Sequence, residues 1–243
     1  MRIANMSWMQ VEEWLQGDDR GVVPLGSVEQ HAYLSLATDA ILAERVAVDA
    51  AEALGIPVFP AVPYGLAAYF SAYPGTIALR PGTYSALITD ILDSLHGAGF
   101  RRILLVNGHG GNAPAGDVAA RWAKEKGDVR VGIHHWWKAP RTRTAVEGVG
   151  PDGSHANWME SFPWTRLEHL TVPGGAKAPA RITDDDRAHP ERVREILGDG
   201  SFGGAYAVPD DAMLEIWREA VAETRDLMGG AAWEGGGPDE PAA

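Results

Sequence analysis

The order in which apolar and helix-period segments follow one another is the feature that most constrains the fold of this chain. Short runs rich in Val, Ile or Leu predict strands, and apolar residues at helical spacing between them predict helices. The predicted strands are 21–26, 56–62, 102–106 and 129–135, and the predicted helices are 38–54, 81–97 and 112–126. Because parallel strands joined by helical crossovers bury both faces of a sheet, the alternation predicts an α/β domain, a three-layer sandwich with a mainly parallel central sheet.

The chain beyond Trp137 is less regular, with Pro, Gly and Trp spread among short segments. We interpret it as loops that close a site, followed by one helix near 210–228. A chain of 243 residues with 45% hydrophobic residues can form one substantial core, so residues 1–228 are expected to be a single domain. Residues 229–243 combine Gly, Pro and acidic residues with one large apolar side chain, Trp233. They predict a flexible C-terminal tail, unless Trp233 docks on a neighbour.

Composition excludes several classes of partner and cofactor. The chain has no cysteine, so a metal ion must be held by His, Asp and Glu. A net charge of −12 would repel nucleic acids and anionic lipid surfaces. No apolar run approaches the roughly 18–20 residues of a membrane span, and the N-terminus lacks a basic segment followed by an apolar one. We therefore expect a cytoplasmic protein that binds neither nucleic acid nor membrane.

A first cluster of metal-binding residue types, Glu29, His31 and Asp39, follows the first predicted strand. Two residues apart in extended backbone, Glu29 and His31 project from the same side of the chain, which suits two adjacent ions or two positions on one ion. Taken singly, each residue has a simpler explanation: Asp39 as a carboxylate at a helix start, the other two as solvated loop side chains. The combination of the three favours a metal site.

A second cluster, VNGHGGN, places His109 between glycines, after a buried strand and before a helix. Loops that follow parallel strands hold ligands in α/β sheets, and glycine lets the backbone approach a bound group closely. His109 is therefore a candidate metal ligand, and the N–H groups of Gly110 and Gly111 are candidate donors to an oxyanion. A tight turn that only serves helix packing would explain the glycines but not the imidazole. The spacings of phosphate-binding and dinucleotide-binding loops are not met.

A third cluster, SHANWMES, brings His155 and Glu160 within five residues of each other. His155 could be a general acid or base, because its unperturbed pKa lies near physiological pH. Taken alone, the cluster is better explained by a histidine in a turn. Four tryptophans lie in or near this part of the chain: Trp136, Trp137, Trp158 and Trp164. They are expected to be core or interface anchors, with an aromatic wall around a planar amide as the alternative.

Taken together, the EQHAYLSLATD and VNGHGGN segments resemble the two signature motifs of the creatininase family. Further matches are VPYG at 62–65, YPGTIAL at 73–79 and SHANWMES at 154–161, so the resemblance spans roughly residues 24–161. The family includes creatinine amidohydrolases, formamide hydrolases of deazaflavin and flavin pathways, and a peptidase of mycofactocin maturation. The resemblance implies a parallel sheet between helical layers and assembly into hexamers.

Position by position, the resemblance implies a site for two divalent metal ions. Glu29 and His109 would hold one ion, His31 would hold the other, and Asp39 would bridge both. His155 matches the catalytic histidine of the family.

The chain departs from the creatinine-hydrolysing members at three places. Those members resemble NGHYEN where this chain has NGHGGN, so Gly111 stands in place of a metal-binding glutamate, and Glu160 is the proposed substitute. The first loop is one residue shorter and carries Tyr33 and Ser35, and Asn157 replaces a usual glycine in the third segment. Creatinine itself is therefore a poor candidate substrate.

The expected function is that of a dinuclear metal-dependent amidohydrolase that uses metal-bound hydroxide to cleave a C–N amide bond. The expected substrate is a small cyclic amide or a formamide, and the ligand set suits Zn, Mn or Fe(II). One alternative is a peptidase of the mycofactocin-maturation type that acts on a short modified peptide. Another is a binding protein that has kept the fold and lost its metals. A metal-dependent phosphatase is disfavoured by the scarcity of Lys and Arg near the motifs. By resemblance to the family, the chain is also expected to form a homo-oligomer.

Overall fold

A parallel sheet lies at the centre of the computed structural model, which describes residues 1–230 and 233, and confirms the predicted fold class. Its strands are β1 (Arg20–Leu25), β2 (Arg102–Asn107) and β3 (Arg130–His135). They lie in the order β1-β2-β3, and both pairs are parallel, with Leu25 beside Asn107. The loops that follow β1 and β2 therefore leave the sheet at the same edge, where α/β proteins hold their ligands.

The fourth predicted strand, 56–62, is wrong as a continuous strand. The segment runs parallel to β1 but pairs with it at isolated positions, Val58 and Val62. Pro57 and Pro60 have no N–H group to donate, so they interrupt the hydrogen-bond ladder that a strand requires.

Helices cover both faces of the sheet, as predicted. Their bounds are α1 (Trp8–Leu15), α2 (Thr38–Ala51), α3 (Pro81–Ala98), α4 (Pro114–Lys126), α5 (Pro140–Val149), α6 (Asp184–Arg187), α7 (Pro190–Leu197) and α8 (Asp210–Gly229). Helices α2, α5 and α8 pack on one face, and α3 and α4 pack on the other. Alternate residues of β1 divide between the two cores, with Val22 in the first and Val23 in the second. This division is the period-2 pattern of a strand that is buried on both faces.

The half of the chain beyond Trp137 contains more regular structure than the sequence indicated. The predicted helix near 210–228 is confirmed as α8, and α5 and α7 lie in the segment predicted to be loops. Both begin with a proline at the first helical turn, a position where the missing N–H costs nothing. They are only 10 and 8 residues long, so each presents few repeats of the helical period. A short antiparallel pair, β4 (Ala176–Lys177) with β5 (Gly204–Ala205), closes this region.

Of the predicted C-terminal tail, the structure describes residues 229–230 and 233. Gly229 is the last residue of α8, and the Trp233 ring is buried against the core that α2 and α8 share. Its indole N–H donates a hydrogen bond to the Met228 carbonyl (2.6 Å). The rest of the predicted tail, 231–232 and 234–243, lies outside the described residues. None of the described helices combines the length and the apolar character that crossing a membrane requires.

Candidate metal centre

The site lies where α2 begins against the ends of β1 and β2. A Cβ atom at Gly26 would lie 2.4 Å from the Cα of Ala40, and one at Gly108 would lie 2.4 Å from the Asp39 carbonyl oxygen. Only glycine permits so close an approach of helix and strand ends. The close packing brings Asp39, in the first turn of α2, to the loops that follow both strands.

One group of potential ligands comprises Glu29, Asp39 and His109, all of which are buried. The Nδ1 atom of His109 lies 3.3 Å from Oε1 of Glu29 and 3.1 Å from Oδ2 of Asp39. The three side chains come from the loop after β1, the start of α2 and the loop after β2.

A second group comprises His31, Asp39 and Glu160. The Nε2 atom of His31 lies 3.1 Å from Oδ1 of Asp39 and 3.7 Å from Oε2 of Glu160. Asp39 therefore belongs to both groups and offers a different oxygen to each. All five residues proposed from the sequence as metal ligands meet at one place.

The backbone fixes which nitrogen of each histidine faces the carboxylates. Nε2 of His109 lies 3.1 Å from the Leu66 carbonyl oxygen, and Nδ1 of His31 lies 3.1 Å from that of Glu29. A carbonyl oxygen can only accept, so these nitrogens carry the protons in the neutral rings. In the neutral rings, the remaining nitrogen of each directs a lone pair at carboxylate oxygens. Either a proton or a metal cation between the nitrogen and the oxygens would stabilise this arrangement.

The carboxylates of this site carry buried oxygens with no hydrogen-bond donor among the described residues. These oxygens are Oε1 and Oε2 of Glu29 and Oδ2 of Asp39. Burial raises the pKa of the Glu29 carboxyl. Burial opposes protonation of His31, but the carboxylates of Asp39 and Glu160 outweigh it and raise the pKa of that imidazole to about 10. Buried carboxylates are normally paired or bound to metal ions. The donor set therefore fits divalent cations.

His155 lies beside the same ligand groups, with its ring centroid 4.6 Å from that of His31. Its Nδ1 atom lies 3.9 Å from Oε1 of Glu29 and 3.9 Å from Oε2 of Glu160. The ring stacks on Phe70, with centroids 4.8 Å apart. Burial, aided by the positive charge that His31 can carry, holds the pKa of His155 well below its usual range.

The loop that carries His155 and Glu160 is organised by the side chain of Asn157. Its Oδ1 atom accepts from the N–H groups of Ser154 and Met159, and its Nδ2 atom donates to the carbonyls of Asp152 and Gly203. The amide is buried, and each polar atom makes two hydrogen bonds. The usual glycine has no side chain that could make these bonds. The family motif predicts only that Asn157 departs from a glycine, and the structure shows the hydrogen bonds that the asparagine makes.

The two glycines proposed as oxyanion donors form a single 3₁₀ turn directly after His109. Gly110 is exposed and Gly111 is half-buried. A Cβ atom at Gly111 would lie 2.2 Å from the Leu66 carbonyl oxygen and 2.4 Å from Nε2 of His109. This chain therefore has no room for a glutamate at Gly111 unless the loop moves.

The tryptophans do not form a wall around the site. Trp136 and Trp158 are buried in the core on the α2 side of the sheet, and Trp137 and Trp164 pack against that core. Besides the His31 imidazole, the rings that contact His155 are those of Phe70 and Phe202, which were not among the predicted site residues. They come from segments far apart in the chain, and no local motif marks them.

Comparison with known proteins places this site in a family context. The sequence matches the family model described as "Creatininase: Creatinine amidohydrolase" over residues 4–228. A creatinine amidohydrolase from Pseudomonas putida is 27% identical over 164 residues, which cover 62% of this chain and 63% of that protein. A mycofactocin precursor peptide peptidase from Mycolicibacterium smegmatis is 37% identical over 101 residues, which cover 39% of this chain and 40% of that protein. These alignments span less than two thirds of each relative.

Solved structures extend the likeness in fold over most of the chain. A structure named "Creatininase Mn" superposes with a TM-score of 0.78 and covers 93% of this chain and 96% of its own. Its sequence is 22% identical, so this likeness shows the shared fold.

Proposed function

The chain belongs to the creatininase family, and on that premise we propose that it is a hydrolase that cleaves a C–N amide bond of a small molecule with the help of two divalent metal ions. The observation that carries the proposal is the sharing of Asp39 between two buried groups of ligand atoms. In each group a histidine lone pair faces carboxylate oxygens.

The two groups divide the proposed ligands between two ions. Glu29, Asp39 and His109 would hold one, and His31, Asp39 and Glu160 would hold the other. Ions bound there would lower the pKa of a bound water and polarise an amide carbonyl. Zn, Mn and Fe(II) all suit imidazole and carboxylate ligands.

The remaining side chains would hold the substrate. We assign His155 as the catalytic residue, because Nδ1 faces the space between Glu29 and Glu160 and can hydrogen-bond to an amide bound there. The N–H groups of Gly110 and Gly111 are proposed to donate to the oxyanion that forms when the carbonyl is attacked. The burial of the ligands limits access of bulk water and strengthens these interactions.

The substrate is proposed to be a cyclic amide or a formamide. Gly111 supports a substrate other than creatinine, because creatinine-hydrolysing members of the family look like NGHYEN, with a glutamate at the position of Gly111. A peptidase of a short modified peptide is the second candidate, and the 37% identity to the mycofactocin precursor peptidase favours it. A binding protein without metals is disfavoured, because both ligand groups are complete.

We also propose a homo-oligomer in the cytoplasm, a hexamer on the basis of family likeness. Trp8 and Met9 lie next to each other on α1 and are 71% and 56% exposed. Exposed large apolar side chains, tryptophan above all, are enriched at surfaces that pack against another chain. The mass of the purified protein in solution tests this part of the proposal.

Metal content tests the central proposal. We expect about two ions per chain after reconstitution, loss of both in Asp39→Asn, and loss of the ion held by the Glu29 group in His109→Ala. The exposed His169→Ala variant is the matched control and should bind as the wild type does. A wild type that takes up no Zn, Mn or Fe would contradict the proposal. A wild type that holds about two ions per chain would justify assays with cyclic amides, formamides and short peptides.

A further inference from the structure

The three imidazoles of the site are not held in the same way. His31 and His109 each donate one ring N–H to a backbone carbonyl and direct a lone pair into the pocket. His155 is held instead by a side chain, because its Nε2 atom lies 2.9 Å from Nε2 of Gln30. Gln30 is buried, and in the sequence it lies between the proposed ligands Glu29 and His31.

Backbone groups fix the orientation of the Gln30 amide. Its Oε1 atom accepts from the Ala32 N–H (3.1 Å), and its Nε2 atom donates to the Gly200 carbonyl (3.0 Å). A flipped amide would place oxygen against the carbonyl and nitrogen against the N–H, losing both hydrogen bonds. The second N–H of the amide then points at Nε2 of His155. That nitrogen must accept, so in the neutral ring the proton resides on Nδ1.

We propose that Gln30 is a positioning residue that holds His155 as the Nδ1–H tautomer, so that this imidazole presents a hydrogen-bond donor to the pocket and does not act as a metal ligand. The proposed function supplies the substrate for this donor, but the tautomer itself follows from the contacts of Gln30. His155 could be grouped with Glu29 and His31 as a third set of ligands, and a proton on Nδ1 excludes that use of the ring.

The surroundings keep both partners in place. The His155 ring stacks on Phe70 at an interplanar angle of 17° and meets Phe202 edge-on. The residues on either side of Gly200 are both bound by Lys177, whose ammonium donates to the Asp199 carboxylate and to the Ser201 carbonyl. A Cβ atom on Gly200 would lie 1.7 Å from Oε1 of Gln30, and Gly200 has a φ of +101°. Glycine is therefore required there for the contact with Gln30.

The tautomer decides what His155 can do. Its Nδ1–H faces the space between Glu29 and Glu160, where an oxygen or nitrogen of a bound amide can accept a hydrogen bond. A nitrogen that already carries a proton cannot remove one from water. His155 is therefore a donor to the substrate in this arrangement, and the role of general base considered from the sequence is not available at Nδ1.

Nitrogen NMR of protein labelled with ¹⁵N-histidine tests the assignment directly. Two-bond ¹H–¹⁵N correlations distinguish protonated from unprotonated ring nitrogens, and a His155→Gln variant assigns the signals. We expect Nδ1–H in both metal-free and Zn²⁺-loaded wild type. In Gln30→Glu the pattern should invert, because a carboxylate accepts from Nε2–H. A wild-type ring protonated on Nε2, or a Nδ1 that becomes metal-bound on adding Zn²⁺, would overturn the proposal.

Two further variants separate positioning from folding and from the proposed function. Gln30→Met keeps the length of the side chain without its donor, and its kcat should fall by about 10–100-fold with KM and Zn²⁺ content unchanged. Gln16→Glu, the same change as Gln30→Glu at an exposed glutamine, should alter neither activity nor tautomer. A wild type that keeps Nδ1–H but binds no Zn²⁺ contradicts the proposed function and supports the tautomer assignment. Unchanged kcat in Gln30→Met contradicts the positioning role.

Discussion

The side chains of the candidate site fall into two groups that are held in place by different means. Glu29, His31, Asp39 and His109, which we call the strand side, are set by strand ends, the start of α2 and backbone carbonyls. His155 and Glu160, which we call the loop side, lie on a loop whose shape depends on the Asn157 side chain. The carbonyls that hold the two strand-side imidazoles belong to the backbone and survive any side-chain substitution. The Asn157 amide that organises the loop side can be removed by one substitution.

The difference extends to the chemistry that each side presents. The strand side directs two imidazole lone pairs and several buried oxygens into the pocket, a pattern that suits cations. The loop side adds one carboxylate and one imidazole whose proton faces inward. Four of the five proposed metal ligands therefore lie on the strand side, and the proposed substrate donor, His155, lies on the loop side.

The largest expected effect comes from removing a strand-side charge. Glu29→Gln should lower kcat/KM by about 10³-fold or more, equivalent to about 4 kcal/mol of transition-state stabilisation, because an amide is a poor metal ligand. The metal-free fold should be as stable as the wild type or more stable, since an uncompensated buried charge is removed. Steady-state kinetics and chemical denaturation check both parts. Glu168→Gln, at an exposed position, is the control. Retained activity would show that the strand side does not hold the catalytic metals.

Removing the metals should affect the two sides unequally. At a Zn²⁺ concentration of about 100 times Kd, binding stabilises the native state by about 2.7 kcal/mol. Amide hydrogen exchange should show that chelation exposes 153–160 more than β1 and β2, because the strands keep their own hydrogen bonds. Equal loss of protection in both regions would contradict the comparison.

Substitution of the loop anchor should have an intermediate effect. Asn157→Ala leaves buried backbone groups without partners, and each such group costs about 1–3 kcal/mol. We expect activity to fall by about 10–100-fold and Zn²⁺ to be lost first from the group that contains Glu160. Metal titration and thermal denaturation measure this, with the exposed Asn5→Ala as control. If the Glu29 group lost its ion first, the strand side would not be the more rigid one.

The smallest expected effect concerns acid stability of the same loop. Hydrogen bonds from the Trp158 indole and the Ala205 N–H hold the pKa of Asp152 below its usual value. A carboxyl whose pKa is lower in the folded state stabilises the fold above its unfolded pKa, near 4, and loses this contribution as pH falls through the folded pKa.

Asp152→Asn should therefore be slightly less stable than wild type at neutral pH, by a few tenths of a kcal/mol because solvent screens this exposed carboxylate, and the difference should shrink below a pH of about 4. Thermal melts across that range measure the effect, and exposed Asp90→Asn should show no such trend. A difference that grows as the pH falls would contradict the assignment.

The sequence was sufficient to predict a strand or helix where the local apolar pattern agrees with the burial of its residues. The three strands of the sheet and α2, α3, α4 and α8 were predictable because apolar residues recur at the period of their elements. The prediction of a continuous strand at 56–62 is wrong because the apolar residues of this segment are interrupted by prolines, which have no N–H group for a strand ladder. Helices α5 and α7 were not predicted because they are only 10 and 8 residues long, shorter than the 11–18 residues over which helical periodicity is recognised.

By itself, the sequence determined the ligand types and their order along the chain. Glu29, His31, Asp39 and His109 follow strand ends, and strands that are parallel bring those ends together. Only the tertiary structure decided which nitrogen of each imidazole faces the pocket and which side chains surround His155. These features depend on contacts between residues far apart, such as Gln30 with Gly200, and a hydrogen bond of that kind leaves no period or spacing in the sequence.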